Sequence, residues 1–346
     1  MANKPYLDQI EVDGTTYDLR AANGTPVIEG YGGNDLSEEF ESAAAFHAAV
    51  AAGDFSKIRV GDFFPITVSG SYRDYARFTV PAGTTYYTDA ALSTEGGTTS
   101  EAVQGEYQSA TAVKFTLSGS DCFAAIGDCQ AGFMKTMNET VKMEVAAINP
   151  YLRMGDTELT AQHILLVSRD CLANTIQMRC NNGVWYDTSQ VNPWLGSAAY
   201  QTLNNPDDGI VKLVEATSLG AYMFAGPQGK GMRAMLPSMA AGSASPTTWA
   251  WNNRGKLFLP TEREVYGAPV WGNGTYETGN LYNQWPIFAG SARHIMKGSG
   301  NGGGRCAWWL ETATTASYFA FVGNYGFAGY GSAVGAFRVP LCFLFT

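Results

Sequence analysis

"CAWWLETATTASYFAFVGNYGFAGYGSAVGAFRVPLCFLF" occupies residues 306–345. It opens on a dense apolar group, Trp308-Trp309-Leu310, and closes on another, Leu341–Phe345. Between them, the 24 residues Ala313–Ala336 use only Ala, Thr, Ser, Tyr, Phe, Val, Gly and Asn. They carry no charge and follow neither the helical nor the alternating period. A third of residues 318–335 are aromatic rings, with small residues between them. Either this is a soft piece of core, or it is a surface built to touch something else. The ends read as heavily packed strands, which makes the middle a segment held between two fixed supports.

Working outward, the whole chain has 346 residues, 45% apolar and 15% charged, enough to bury a sizeable core in about two or three domains. A formal charge of −9 with a pI near 4.9 argues against nucleic-acid binding, because nothing neutralises phosphates. Forty glycines and 13% aromatics point to many short strands and loops rather than a helical bundle. No apolar run approaches the ~18 residues of a membrane span, and "MANKPYLDQIEV" lacks the layout of a secretory signal. The expectation is a soluble protein made in the cytoplasm. The six cysteines, Cys122, Cys129, Cys171, Cys180, Cys306 and Cys342, show no C-x-x-C spacing. Buried free thiols are expected; the even count leaves disulfides open.

Segment by segment, "YLDQIEVDGTTYDLR" (6–20) reads as strand, Asp13-Gly14 turn, strand, and Gly-rich 21–35 as a linker. "LSEEFESAAAFHAAVAAG" predicts a helix ending at Gly53, with Phe40, Ala43, Phe46 or His47, and Val50 on one face; His47 is expected to be a packed or capped histidine. "IRVGDFFPITV" reads as a strand, and Thr/Tyr/Val-rich 76–117 as hairpins. "DCQAGFMKTMNETVKMEVAAINP" predicts a second helix, because Phe133, Met137, Val141 and Val145 recur every four residues before Asn149-Pro150. "HILLVSRDCL" (163–172) reads as a buried strand. "PWLGSAAYQTLNNPDDGIVKLVEAT" reads as two short helices broken near Asn205-Pro206, and "LFLPTEREVYG" (257–267) as one more.

His47, His163 and His294 lie far apart, and there is no H-E-x-x-H, G-x-S-x-G elbow, phosphate loop or dinucleotide fingerprint. "GSGNGGGR" (298–305) lacks Lys-Ser/Thr and a following helix, so it reads as a flexible loop. Asp207-Asp208 is expected to complement a helix start, and Glu262/Glu264 to be solvated. No catalytic residue, metal site or cofactor is assigned.

The order of several pieces carries a resemblance. "LFLPTEREVYG", "WPIF", "CAWWLET" and "GAFRVPLCFLF" resemble the C-type-lectin-like variable proteins diversified by retroelements in phages and bacteria. "VGDFFPI", "RMGDTELTAQHILLVSRDCL" and "VNPWLGSAAYQTLN" resemble the front half of that domain, and "ANKPYLDQIEVDGTTYDLR" resembles N-terminal segments of phage tail proteins. "FRVPLCF" departs from the adjacent Arg-Pro usual in the family. The resemblance implies an α+β fold. Residues 1–30 would be a tail-attachment segment, 31–65 a helix and first strand, and 66–120 a β-rich insertion. Residues 121–346 would be the lectin-like domain, with a variable segment at about 305–337. It further implies diversification of Asn codons, whose first two positions can be randomised without ever producing Glu, Lys, Gln, Met or Trp. None of these occurs in 313–336, although Glu and Lys are common residues.

Its composition also matches a paratope: rigid Tyr and Phe supply contact area, while Gly, Ser and Asn adapt. Tyr318, Phe321, Tyr325, Phe327 and Tyr330 are the candidate ring contacts, each with core packing as the competing reading. Thr314, Thr315, Asn324, Ser332 and Val334 are the other candidate contacts. Phe319, Val322 and Phe337 are read as core, and Trp308, Trp309, Leu310 and Arg338 as scaffold. The implied function is a phage tail-tip or tail-fibre receptor-binding protein in the virion. Its partners would be a bacterial surface receptor, tail proteins docked through the N-terminus, and copies of itself, as a homotrimer by analogy with tail fibres. Two alternatives stand: a bacterial surface-display protein of the same family, and a formylglycine-generating type of enzyme, with Cys306 and Cys342 as candidate thiols. Calcium-dependent sugar binding is not expected, since no Glu-Pro-Asn, Gln-Pro-Asp or Trp-Asn-Asp triplet occurs.

Overall fold

A period of four is shared by helices and strands, and residues 130–148 show which one wins. In the computed structural model Met137, Val141, Met143 and Val145 are buried while Thr136, Asn138, Thr140 and Lys142 are exposed, a period of two. The stretch is a 19-residue strand, so the predicted helix there is overturned. Glu139 had masked the alternation: it occupies an inward position because its carboxylate accepts the Ala173 N–H at 3.0 and 3.1 Å.

The structure describes residues 9–12, 15–18, 33–179, 190, 192–224, 233–239, 246–272, 283–289, 292–300, 302–315 and 317–346. Strands β1 (Gln9–Val12) and β2 (Thr15–Asp18) pair antiparallel. The rest of the expected attachment segment, most of the linker 21–35, and Cys180 lie outside the described residues. The helix expected from residue 36 is interrupted: α1 (Leu36–Glu39) stops at Phe40, and α2 (Ala43–Ala52) restarts on a Ser42 cap, ending at left-handed Gly53. His47 is packed, stacked on Tyr222 at 4.3 Å.

Strand β3 (Phe63–Val80) pairs antiparallel with the long strand, numbered β9 (Gln130–Ile148), along most of their length. Between them lie β4 (Thr85–Tyr87), β5 (Glu95–Thr98), β6 (Val103–Tyr107), β7 (Ala112–Leu117) and β8 (Ser120–Ala125), which enclose a separate apolar cluster of Val80, Val113, Phe115, Cys122 and Ala124. Strand β10 (Ile164–Ser168), buried at every residue, pairs with β9.

Two short helices follow as expected, α3 (Ala198–Asn204) and α4 (Ile210–Glu215). Asp208 lies just before α4, but it serves tertiary contacts: it accepts Arg73 Nε and the Tyr75 hydroxyl, both at 2.6 Å, fixing this connection to β3. Strands β11 (Arg233–Met239) and β12 (Pro246–Asn253) form a hairpin, followed by α5 (Glu262–Tyr266), α6 (Pro286–Ala289) and α7 (Ala292–Ile295). Strands β13 (Trp308–Thr315), β14 (Tyr318–Val322) and β15 (Ala328–Ser332) make a three-stranded sheet. β16 (Cys342–Phe345) pairs with β10. The largest sheet among the described residues runs β16-β10-β9-β3-β6-β7-β8-β4-β5. The molecule is thus mixed α and β, sheet-rich, with short helices. Its main apolar core is continuous from Phe46 and Phe64 to Trp308, Trp309 and Phe345, so the three-stranded sheet shares a core with β9, β10 and β16.

Candidate functional site

The support under the expected variable segment is built from buried rings and buried charge. Trp308, Trp309 and Leu310 are fully buried. Trp308 Nε1 donates to the Ile295 carbonyl at 3.0 Å and Trp309 Nε1 to that of Ile176 at 2.9 Å, so neither indole leaves an unpaired donor. Glu311 follows on β13 and meets Arg254, which is wholly buried. Arg254 Nε donates to Glu311 Oε2 at 2.8 Å, Nη1 and Nη2 reach Glu264 at 3.1 and 3.0 Å, and Nη2 also donates to the Leu259 carbonyl at 2.6 Å. Glu264 additionally accepts the Tyr151 hydroxyl and closes a capping box with Thr261.

The solvated placement expected for Glu262 and Glu264 is therefore wrong; both are fully buried. Two carboxylates share one guanidinium, and burial pushes the Glu311 carboxyl up to about 7 against the attraction of Arg254. Its Oε1 is buried without a hydrogen-bond partner among the described residues.

Glu262 has a different task. It accepts backbone N–H groups of Val270 (3.2 Å), Trp271 (3.0 and 3.1 Å) and Gly272 (2.6 Å), while its own N–H donates to Thr312 Oγ1 of β13 at 3.0 Å. One buried carboxylate thus pins a surface loop to the Trp-Trp-Leu strand. The loop presents Trp271, whose Nε1 donates to the Ala328 carbonyl at 3.0 Å and whose ring lies 4.7 Å from that of Tyr330. Tyr330 in turn meets Tyr318 edge-on at 5.8 Å.

The hairpin β14–β15 explains its own unusual composition. Register places Tyr318, Ala320 and Val322 opposite Ser332, Tyr330 and Ala328 on one face, and Phe319 and Phe321 opposite Gly331 and Gly329 on the other. A Cβ at Gly329 would sit 2.6 Å from Phe321 Cζ, and one at Gly323 would sit 2.3 Å from the Phe327 ring. These glycines are seats for phenyl rings. The connecting turn closes with Gly326 N–H to the Gly323 carbonyl at 2.8 Å, leaving Tyr325 at its tip.

Tyr318, Tyr325, Phe327 and Tyr330 are 40, 72, 53 and 49% exposed, and Trp271 is 46% exposed. Thr315 and Asn324 are exposed; Thr314, Ser332 and Val334 are half-buried. Phe321 is half-buried between Phe337 (4.6 Å), Phe327 (6.2 Å) and Trp309 (6.3 Å). Phe319 and Val322 are fully buried, and Phe337 is half-buried 4.5 Å from Trp309. Arg338 Nε donates to the Ala173 carbonyl at 3.2 Å. Of seven exposed large apolar side chains among the described residues, six lie at 270–271 and 318–330, a concentration that marks a patch rather than scattered surface. Trp271 was missed from sequence; its signal was a lone indole among turn-forming residues in "GAPVWGNG".

Among the described residues no cluster of three or more His, Cys, Asp and Glu has the arrangement of a metal site, and no helix is long and apolar enough to cross a membrane. The Gly-rich loop is tied back on itself rather than free: Ser299 N–H donates to the Gly304 carbonyl at 3.0 Å and Gly303 N–H to that of Ser299 at 2.8 Å. Cys342 is fully buried, with its thiol pushed up to about 12 by burial. No family model matches the chain, and no curated protein or solved structure matches it either.

Proposed function

We propose that this chain is a receptor-binding protein of a phage tail. It would hold a bacterial surface molecule non-covalently on the rings of Trp271, Tyr318, Tyr325, Phe327 and Tyr330, over a C-type-lectin-like frame. The observation that carries the reading is the gathering of exposed rings on one hairpin and one carboxylate-pinned loop, beside a strand whose residues Trp308–Ala313 are all buried. Rigid aromatic anchors lose little rotamer freedom on binding. A single site of this size binds weakly; a homotrimer multiplies it through effective concentration. Residues 1–30 attach the chain to the tail, and about 305–337 vary.

The test is adsorption of the fluorescently labelled chain to a panel of bacterial isolates. Combined alanine substitution of Trp271, Tyr325, Phe327 and Tyr330 should abolish adsorption while circular dichroism and the melting temperature stay unchanged. Undiminished adsorption by that variant overturns the proposal.

A further inference from the structure

Two cysteines far apart in sequence converge on one carbonyl. Cys171, just after β10, donates its backbone N–H to the Gly298 oxygen at 2.9 Å, and Cys306, just before β13, points its Sγ at the same oxygen at 3.3 Å. Cys306 N–H is held by the Lys297 carbonyl at 3.0 Å, and its Sγ also lies 3.6 Å from that oxygen. Each thiol bears on the other's titration: Cys171 is the largest influence lowering Cys306, and Cys306 adds to the rise that burial gives Cys171. Cys171 is fully buried; Cys306 is 6% exposed.

We propose that Cys171 and Cys306 are a redox modification site, a dithiol that a peroxide converts to a disulfide bracing the three-stranded sheet against the large one. The proposal stands independently of any receptor. The chemistry divides between the two thiols by environment. Cys306 is the attacking sulfur: Cys171 and the charges of Arg338 and Lys297 lower its pKa, against the opposing effect of burial and Asp170. Its thiolate takes the terminal hydroxyl of hydrogen peroxide as the O–O bond breaks, giving a sulfenic acid and hydroxide, which is protonated to water. The Cys171 sulfur then attacks the sulfenic sulfur; the S–O bond breaks and the hydroxyl leaves as water with the Cys171 proton. Two thiols and one peroxide become one disulfide and two waters. Cys171 is kept neutral by burial, so it resolves rather than initiates.

The location gives the bond a structural effect. The segment after Cys171 supports both neighbours of the hairpin: the Ile176 carbonyl accepts Trp309 Nε1, and Ala173 accepts Arg338 Nε. A disulfide from 171 to 306 closes a loop spanning more than a third of the chain and restricts the unfolded state accordingly.

The experiment is native exposure of the full chain to hydrogen peroxide in small molar excess, followed by intact mass and peptide mapping without reductant. Support is a mass lower by two hydrogens, a Cys171–Cys306 cross-linked peptide, and a melting temperature raised by roughly 5–10 °C that reductant reverses. Cys342→Ser should behave as the parent. In Cys171→Ser the attacking thiol should run on to the sulfinic acid. Cys306 oxidised to sulfinic acid in the parent chain, linked to any other cysteine, or left unmodified overturns the proposal, and the parent chain alone distinguishes these outcomes.

Discussion

Strands β13 and β15 belong to one three-stranded sheet and are made on opposite principles. β13 is Trp-Trp-Leu-Glu-Thr, buried along most of its length, with every large group committed: two indoles to carbonyls, Glu311 to Arg254, Thr312 to the N–H of Glu262. β15 is Ala-Gly-Tyr-Gly-Ser, with one exposed ring and glycines that receive rings from β14. The difference lies in what a substitution disturbs. A change in β13 strands a buried charge or donor; a change at Tyr330 disturbs its half-exposed neighbours Trp271 and Tyr318 and what solvent or a partner meets. Such a division lets a surface vary without endangering the fold beneath it.

The hardest way to break the comparison is at Arg254. Arg254→Ala leaves Glu264 and Glu311 buried without their shared counter-charge, and should cost about 3–5 kcal/mol in urea unfolding. A loss below about 1 kcal/mol would remove the charged trio from the account of the frame. Next comes pH. Glu311 holds its proton more tightly when folded than when unfolded, so its contribution is complete below about pH 4.5 and is lost as pH rises through about 7. About 3 kcal/mol is at stake, and Glu311→Gln should flatten that part of the stability profile; an unchanged slope excludes this carboxyl as its source.

Smaller effects separate the two kinds of glycine. Gly329→Ala presses on Phe321, which is hemmed in by Trp309 and Phe337, and should cost about 1–2 kcal/mol. Gly323→Ala presses on Phe327, whose exposed ring can swing outward, and should cost less than about 0.5 kcal/mol. Equal losses at the two positions would mean that the rings are equally confined. The least change of all is expected from Tyr325→Ala, within about 0.5 kcal/mol by thermal melting, with any loss confined to adsorption.

What was legible from sequence follows the range of the forces involved. Trp308-Trp309-Leu310 reads as buried because its own apolarity requires it, and β10 likewise. The short helices α3, α4 and α5 announce themselves through local punctuation. Glu264 looks like surface because nothing beside it reveals a buried guanidinium ten residues earlier at Arg254, although Thr261-x-x-Glu264 has the spacing of a capping box, and Glu262 because its partners are backbone N–H groups at 270–272. The long strand β9 misled because Phe133, Met137, Val141 and Val145 fit either period, and the residue that breaks the tie, Glu139, takes its partner from Ala173. The exposed rings were legible by composition, but Phe321 and Trp271 exchanged the places that composition suggests: one turned partly inward, the other held out by a carboxylate that no local pattern points to.

The paired strands β3 and β9 run in unbroken register from Phe63 to Asp74, opposite Glu144 to Phe133. At about 3.4 Å per residue that is a ladder of roughly 40 Å, packed into the main core along its length, and the lobe beyond it has its own apolar filling. The ladder is interrupted only beyond that span, between Asp74 and Phe78, where the lobe begins. The same continuity makes the lobe detachable: trimmed back to a tight turn, the two strands would still meet each other in register.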